Sequence, residues 1–598
     1  MGEEILETKQ FDVLPPFTRA LLTAVREGSS FATPGHHGGA WQRETRAGRI
    51  FAETLGSGIF AADISDSDSR IGDVSAHEGA SGAAEALAAR VFGAEKTLFV
   101  LGGTSAANRI CLSALLAPGD LVLMERSHHK SVYQGALTEA GATPVYVPMR
   151  TNAAGTLGGA APQFFSEKDL RRLVGNISPE KAKKKRPFRL ACVQLVTYDG
   201  VFVSAKKILE TVGSLCDYIL FDAAWAGYEI FIPFLKALSP LTASLGENAP
   251  GILVTQSVHK QLAGFTQTSQ IHVRDAHLKG KKRRLSPDVL QESFLRHSST
   301  SANALLFAGL EMNAAMLAEA GEALWTETVR RGILLRKKMC EILTLMHPWQ
   351  PETADGVPWE SGETQEIATE RRFWEIRSGE AWHGFDALPR ETYFLDPCKI
   401  LLRTAPSGIS GLVLSAFLQE RGIVAEKANF DSVLFLLTPA DSDEKYEKLL
   451  TALVEFETAY EKGVPVGEAI HFLAASSYAR QTIRELCAAQ FCFLKERDFG
   501  RWQRESLTAL PVQKLTGRDA SDAFVSGKGE KAALAESVSR VALEAADAYP
   551  PGICIVPPGA VWTKEAVRYF RILEDFGRAF PEFAPELHGV HEDGVWVL

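Results

Sequence analysis

The sequence predicts an α/β protein built on a mainly parallel sheet. Three observations carry this expectation. Short apolar runs alternate with helical runs between residues 82 and 147, as in parallel strands joined by helices. A glycine-rich turn, GGTSAAN (Gly102 to Asn108), stands between a strand and a helix, where such sheets bind ligands. Further on, the apolar run GILVTQ ends in SVHKQLAG, which places Lys260 at the carboxyl end of a buried strand.

Composition sets the bounds. The 598 residues have room for roughly three or four domains. Hydrophobic residues make up 46% and charged residues 23%, so core size is not limiting. The net charge of −9 argues against nucleic-acid binding, which needs a basic surface, and is compatible with a cationic substrate. Eight cysteines form no CxxC pair; neither a zinc site nor a disulfide framework is expected, and free thiols suit a reducing cytoplasm. The N-terminus, MGEEILETKQFDVLPP, has no apolar signal region. No run reaches the roughly 18 apolar residues of a membrane span. A cytoplasmic protein, without membrane or nucleic-acid partners, is expected.

In chain order, residues 1–70 read as an arm or linker. FTRALLTAVREG has helical spacing, with Phe17, Leu21, Leu22 and Val25 on one face. TPGHHGG is a Pro/Gly turn carrying His36 and His37; adjacent histidines do not face one site on a helix, so no metal is expected. GAAEALAARVFG is an alanine-rich helix closed by Gly93. KTLFVL, DLVLME and TPVYV are strands, with the helices RICLSALL and SVYQGALTEAG between them. NISPEKAKKKRPF is a solvated basic loop. LACVQLVT is a strand, and DYILFD is another that ends at Asp222. Residues 286–345 are helical and 346–390 polar. KILLRTA, ISGLVLSAFLQERG, SVLFLLTP and EKYEKLLTALVEFETAYEKG then give strand, helix, strand and helix: a smaller α/β domain. The remainder mixes helices with YPPGICIVPPGAVW and ELHGVHEDGVWVL. The expected division is an arm (1–70), a major domain (71–310), a small domain (311–460) and an α+β C-terminal domain (461–598).

Three features carry chemistry. A lysine at a strand end beside Ser257 and His259 is what an enzyme uses to hold an aldehyde cofactor, with the neighbours on a phosphate; the alternative is a solvated surface lysine. In GGTSAAN, Gly102 and Gly103 allow close backbone approach, and the Thr104 and Ser105 hydroxyls with free helix N–H groups suit a phosphate; the alternative is ordinary capping. It is not a Walker loop, which needs GKS or GKT. Asp222, at the end of a buried strand, needs a partner. It either caps a helix or faces a protonated ring nitrogen.

Together these pieces resemble the bacterial ornithine/lysine/arginine decarboxylases, a fold-type I pyridoxal-phosphate family with an aspartate-aminotransferase-like major domain. The resemblance covers nearly the whole chain. It rests on TPGHHGG, GDVSAHEGASGAAEALAARVFGA, GGTSAAN, SHHKS, FDAAWAGY and QSVHKQLAGFTQTSQ, and downstream on WHGF, LDPCKI, ERGIVAEK, YPPG and HGVHEDG. It implies that Lys260 binds the aldehyde carbon of pyridoxal phosphate, that Asp222 pairs with the pyridine nitrogen, and that His129 of SHHKS stacks on the ring. Thr104, Ser105, Ser257 and His259 would contact the phosphate, and Ala224 and Trp225 would line the ring's other side. The implied reaction is loss of CO2 from lysine, arginine or ornithine to give a polyamine, the first two substrates being slightly favoured. Lys260 or His129 would return the proton to Cα. A homodimer is implied, with higher oligomers left open.

Three departures from the family pattern stand out. The chain begins near the linker, so the family's N-terminal wing is expected to be absent. Ala302 and Asn303 replace a usual Pro-Tyr in a segment similar to one that reaches the neighbouring subunit's site. Ala560 replaces a usual Glu, so an acidic group near the pocket entrance is expected to be missing. Two competing readings follow. An aminotransferase on the same fold would hold the substrate carboxylate with a small-domain arginine, for which Arg403 is the candidate. A non-catalytic paralogue would bind or regulate an active decarboxylase.

Overall fold

The computed structural model describes residues 13–28, 30–549 and 552–598. Residues 1–12, where no signal region is expected, and Pro550 and Pro551 of YPPG lie outside them. Seven strands form the central sheet, in the spatial order Lys96–Val100, Ser269–Arg274, Gly251–Ser257, Cys216–Asp222, Phe188–Gln194, Leu121–Glu125 and Thr143–Val147. The last five run parallel. Ser269–Arg274 is antiparallel to both its neighbours. Leu121–Glu125 and Gly251–Ser257 are buried at every position, because both faces of the sheet are covered. That is why these strands read as continuous apolar runs and not as alternating ones.

Register positions the site. Asp222 lies opposite Thr255 on one side and Gln194 on the other. The strand ends at Asp222 and Ser257, and the turns after Val100 and Glu125, therefore open on the same edge of the sheet, the carboxyl edge where such folds bind ligands.

A second, antiparallel sheet contains His347–Pro348, Lys399–Arg403, Ser432–Leu436 and Lys427–Ala428. Helix Gly411–Glu420 packs on it, and helix Asp443–Lys462 packs on that helix. The chain reaches this sheet along the helix Ala304–Ile342, which runs through residue 310 without a break. The division at residues 70, 310 and 460 stays a proposal. Towards the C-terminus, Ile553–Val556, Ala546–Tyr549 and Glu586–His588 pair as a three-stranded antiparallel sheet. The helices Phe499–Thr508 and Lys564–Ala579 pack together beside it.

Three details differ from the local sequence reading. The first helix, Pro16–Glu27, buries Phe17, Thr18, Leu21 and Ala24, while Leu22 and Val25 are half-buried. SVYQGALTEAG is one α-helical turn, Lys130–Tyr133, that widens into a π-helix, Gln134–Glu139. Gly135 in it lies so close to the neighbouring helix that a Cβ would come within 2.7 Å of Leu112. Residues 286–345 split into Pro287–His297 and Ala304–Ile342. Asn303 caps the second helix, its Oδ1 accepting the Leu306 N–H at 2.9 Å. Among the described residues no helix is long and apolar enough to cross a membrane.

Candidate active site

Lys260, His129, Asp222, Thr104, Ser105, Ala224, Trp225, Ser257 and His259 all line one cavity of about 340 Å³ at the carboxyl edge of the sheet. They come from four separate stretches of chain, brought together by the strand order of the sheet.

One end of the cavity is built for an anion. Gly103 takes φ +71°, a conformation that favours glycine, and its N–H bonds the Gln267 carbonyl at 2.7 Å. A Cβ on Gly102 would stand 2.8 Å from that of Ala106, so the backbone lies flush at the start of helix Gly103–Leu115. The first N–H groups of a helix have no partner within it. The Thr104 and Ser257 hydroxyls share a 2.7 Å hydrogen bond, which ties this turn to the neighbouring strand end. Ser105 is exposed beside them. His259 pairs through Nδ1 with the Thr268 carbonyl at 2.8 Å, which puts the proton on Nδ1 and leaves Nε2 for a ligand. Burial pushes the His259 pKa down.

The other end centres on Asp222, which is 4% exposed. Its Oδ2 accepts from Asn108 Nδ2 at 3.0 Å and its Oδ1 from the Ala224 N–H at 3.1 Å. Asn108 is in turn held by Thr255, whose hydroxyl donates to Asn108 Oδ1 at 2.7 Å. His129 caps the turn Lys130–Tyr133: its Nδ1 accepts the Ser131 N–H at 3.2 Å. The ring proton therefore sits on Nε2. Burial lowers the His129 pKa against the pull of Asp222, so the imidazole is neutral and apolar enough to lie against a ring. Lys260 Nζ stands 3.5 Å from the centroid of the Trp225 indole. Burial pushes its pKa down to about 7; the Lys399 charge adds to this, while Asp222 and Glu426 oppose it. The amine is thus half unprotonated near neutrality, as a nucleophile must be.

These residues fit pyridoxal phosphate. The helix start, the three hydroxyls and His259 match the phosphate. The buried carboxylate of Asp222 matches a protonated pyridine nitrogen. Lys260 matches the aldehyde, and His129 with Ala224 and Trp225 supplies walls for the ring.

Residues that the sequence reading passed over also shape the cavity. Asn108 is the last letter of GGTSAAN, and that motif was the available signal. Tyr198 lines the cavity and donates to Glu426 Oε1 at 3.0 Å. Arg126, 1% exposed, bonds the Cys554 and Ile555 carbonyls at 3.0 and 2.8 Å. It pins the C-terminal sheet behind the His129 segment, where His129 and Ile553 form a β-bridge. Beside it, His588 of HGVHEDG pairs with Asp547 and Glu586, each at 2.8 Å. The hydrogen bond to Asp547 raises the His588 pKa.

Two expectations look different in three dimensions. Arg403 is exposed and does not line the cavity. Ala560 is buried in the C-terminal region, bridged to Gln513, and does not line the cavity either. Its Glu-to-Ala change therefore removes no acid from this wall. Ala302 packs in the cluster around Phe17 and Phe307. His36 bonds Asp63 at 3.1 Å, and no group of three or more potential metal ligands occurs among the described residues.

A family profile described as the Orn/Lys/Arg decarboxylase major domain matches residues 15–445, and its C-terminal-domain counterpart matches residues 500–597. The inducible ornithine decarboxylase of Escherichia coli K12 is 43% identical over 594 residues, covering 96% of this chain and 81% of that protein. The inducible ornithine decarboxylase of Lactobacillus sp. strain 30a is 40% identical over 607 residues, covering 98% and 83%. Among solved structures, lysine decarboxylase A from Pseudomonas aeruginosa superposes with a TM-score of 0.90 at 30% identity, covering 99% and 81%.

Proposed function

Because the chain belongs to the Orn/Lys/Arg decarboxylase family, a fold-type I family that uses pyridoxal phosphate, we propose that it converts ornithine to putrescine and CO2. That it is an amino-acid decarboxylase acting on a basic substrate follows from the family itself. The choice of ornithine is supported by one observation. Two ornithine decarboxylases are 40 and 43% identical to it, and the lysine decarboxylase 30%. This turns the slight preference for lysine or arginine read from the sequence.

When bound, pyridoxal phosphate supplies an aldehyde for the substrate amine and a ring that takes up the electron pair left by departing CO2. The chain's own residues do the rest. Asp222, fixed by Asn108 and the Ala224 N–H, would present a carboxylate to the ring nitrogen and keep a proton there. His129 and Trp225, which line the cavity, would hold the ring between them and so bear on the orientation of the scissile bond. Lys260 Nζ and His129 Nε2 are the two groups in the cavity that can return a proton to Cα. Arg403 lies outside the cavity, so that strand would supply no arginine to hold the substrate carboxylate. This favours its loss over transamination.

Glu426, of ERGIVAEK, is the candidate partner for the substrate's side-chain ammonium. Tyr198 orients its carboxylate, and its charge reaches Lys260, His259 and Tyr549. Glu426→Gln is expected to raise KM for ornithine about 10-fold or more with a much smaller change in kcat, as for loss of a charged hydrogen bond. A homodimer is supported by the exposed apolar side chains Phe31, Trp41, Ile50, Phe51 and Ile59 in the N-terminal segment; an active monomer on sizing would overturn it. The free thiols of all eight cysteines support a cytoplasmic location.

The test is CO2 release from ornithine, lysine and arginine in parallel, with pyridoxal phosphate present. Ornithine is expected to exceed lysine in kcat/KM by about 10-fold or more, the usual worth of one methylene. Lysine or arginine in the lead would overturn the assignment while leaving the family intact.

A further inference from the structure

The LDPCKI segment contributes a second lysine near the site. Lys399 stands on the small-unit strand Lys399–Arg403, and its side chain is fully buried. Its Nζ donates to the Thr197 carbonyl at 3.2 Å, a group of the major domain 202 residues away. It lies 5.0 Å from the centroid of the Trp225 ring, the same indole that Lys260 approaches at 3.5 Å. A buried cation needs a counter-charge. Asp396 supplies it at 3.7 Å, held by the Tyr228 hydroxyl at 2.5 Å and the Cys398 N–H at 2.9 Å. Arg336, also buried, donates to the carbonyls of both Asp396 and Lys399. Nothing in the decarboxylation chemistry derived above uses this pair.

We propose that Lys399 is a positioning residue for the Lys260 amine: two lysine side chains approach one indole, and the charge of Lys399, held by Asp396 and the Thr197 carbonyl, disfavours a second charge on the Lys260 nitrogen and leaves it ready to attack an aldehyde. Asp222 and Glu426 favour its charged form, and Lys399 opposes it. His129 and His259 lie within reach of its charge. Burial pushes the Lys399 pKa down, and Asp396, Asp199 and Glu426 oppose this and favour its charged form. The sign follows: Lys260 is charged below a midpoint near 7 and neutral above it, so removing the Lys399 charge moves that midpoint up.

The inference rests on reading Lys260 as the cofactor lysine, yet its test needs no cofactor. Lys260 in the full-length apoprotein is acylated with an amine-reactive reagent at a series of pH values, and its labelling is read by mass spectrometry. Lys399→Gln, which keeps a donor for Thr197, is expected to raise the midpoint by about one unit, roughly a fivefold slower labelling at pH 7. Lys399→Arg, which keeps the charge, is expected to leave the midpoint within a few tenths of a unit. Asp396→Asn removes the counter-charge that favours the charged form of Lys399 and is expected to raise the midpoint as well. That second variant carries the test if Lys399→Gln fails to fold. An unchanged midpoint in a folded Lys399→Gln or Asp396→Asn protein overturns the proposal. Midpoints that move as expected in a protein that fails to retain pyridoxal phosphate overturn the Lys260 reading instead.

Discussion

Lys260→Ala is expected to lower decarboxylation by about 10⁴-fold or more, the scale on which removal of a covalent catalytic residue acts, while leaving the fold intact. The lysine follows the strand Gly251–Ser257 and takes no part in its ladder. The close contact of its side chain is with the Trp225 ring, worth about 2 kcal/mol or more when desolvated, and the cost of burying the amine opposes it. The melting temperature should therefore move little. The protein should lose the visible absorption of bound pyridoxal phosphate after gel filtration, because the cavity then holds the cofactor only by its phosphate and ring contacts. Added small amines are expected to restore a little turnover. Turnover within a few-fold of the wild type would show that another group does this work, and would sink the reading of the cavity as a whole.

Asp222→Asn is expected to cost about 10²- to 10⁴-fold in kcat. Asparagine keeps the size and can still accept the Ala224 N–H. It removes the charge that favours a protonated ring nitrogen, and with it the depth of the electron sink. The amide also meets Asn108, whose Nδ2 donates to Asp222 Oδ2, so one donor pair is forced together unless the Asn108 amide turns over. That turn would set it against the Thr255 hydroxyl, which now donates to Asn108 Oδ1. The double variant Asp222→Asn, Asn108→Asp relieves the clash and restores a nearby carboxylate. It is expected to regain stability but recover little activity, since Asn108 reaches Asp222 and Ser131 and is not placed against the ring nitrogen. Wild-type kcat in Asp222→Asn would remove the ring-nitrogen role.

The sequence by itself determined the sheet and the chemistry at its edge. Strands buried on both faces must be apolar throughout, so KTLFVL, DLVLME, DYILFD and GILVTQ announced themselves. A polar residue at the end of such a run, as at Asp222 or Lys260, is legible because burial makes it costly without a purpose. GGTSAAN and SHHKS were legible because a tight turn at a strand end demands particular residue types over a few consecutive positions. What tertiary structure alone decided lies between distant segments. Lys399 meets Thr197 across 202 residues, and Arg126 meets Ile555 across 429. Such contacts leave no periodicity and no local composition, because each partner satisfies its own element's pattern. The same holds for Arg403, which sits on a small-unit strand as its sequence suggests but is exposed away from the cavity. A strand's pleat and its packing partner, not its composition, choose which face a side chain shows to the site.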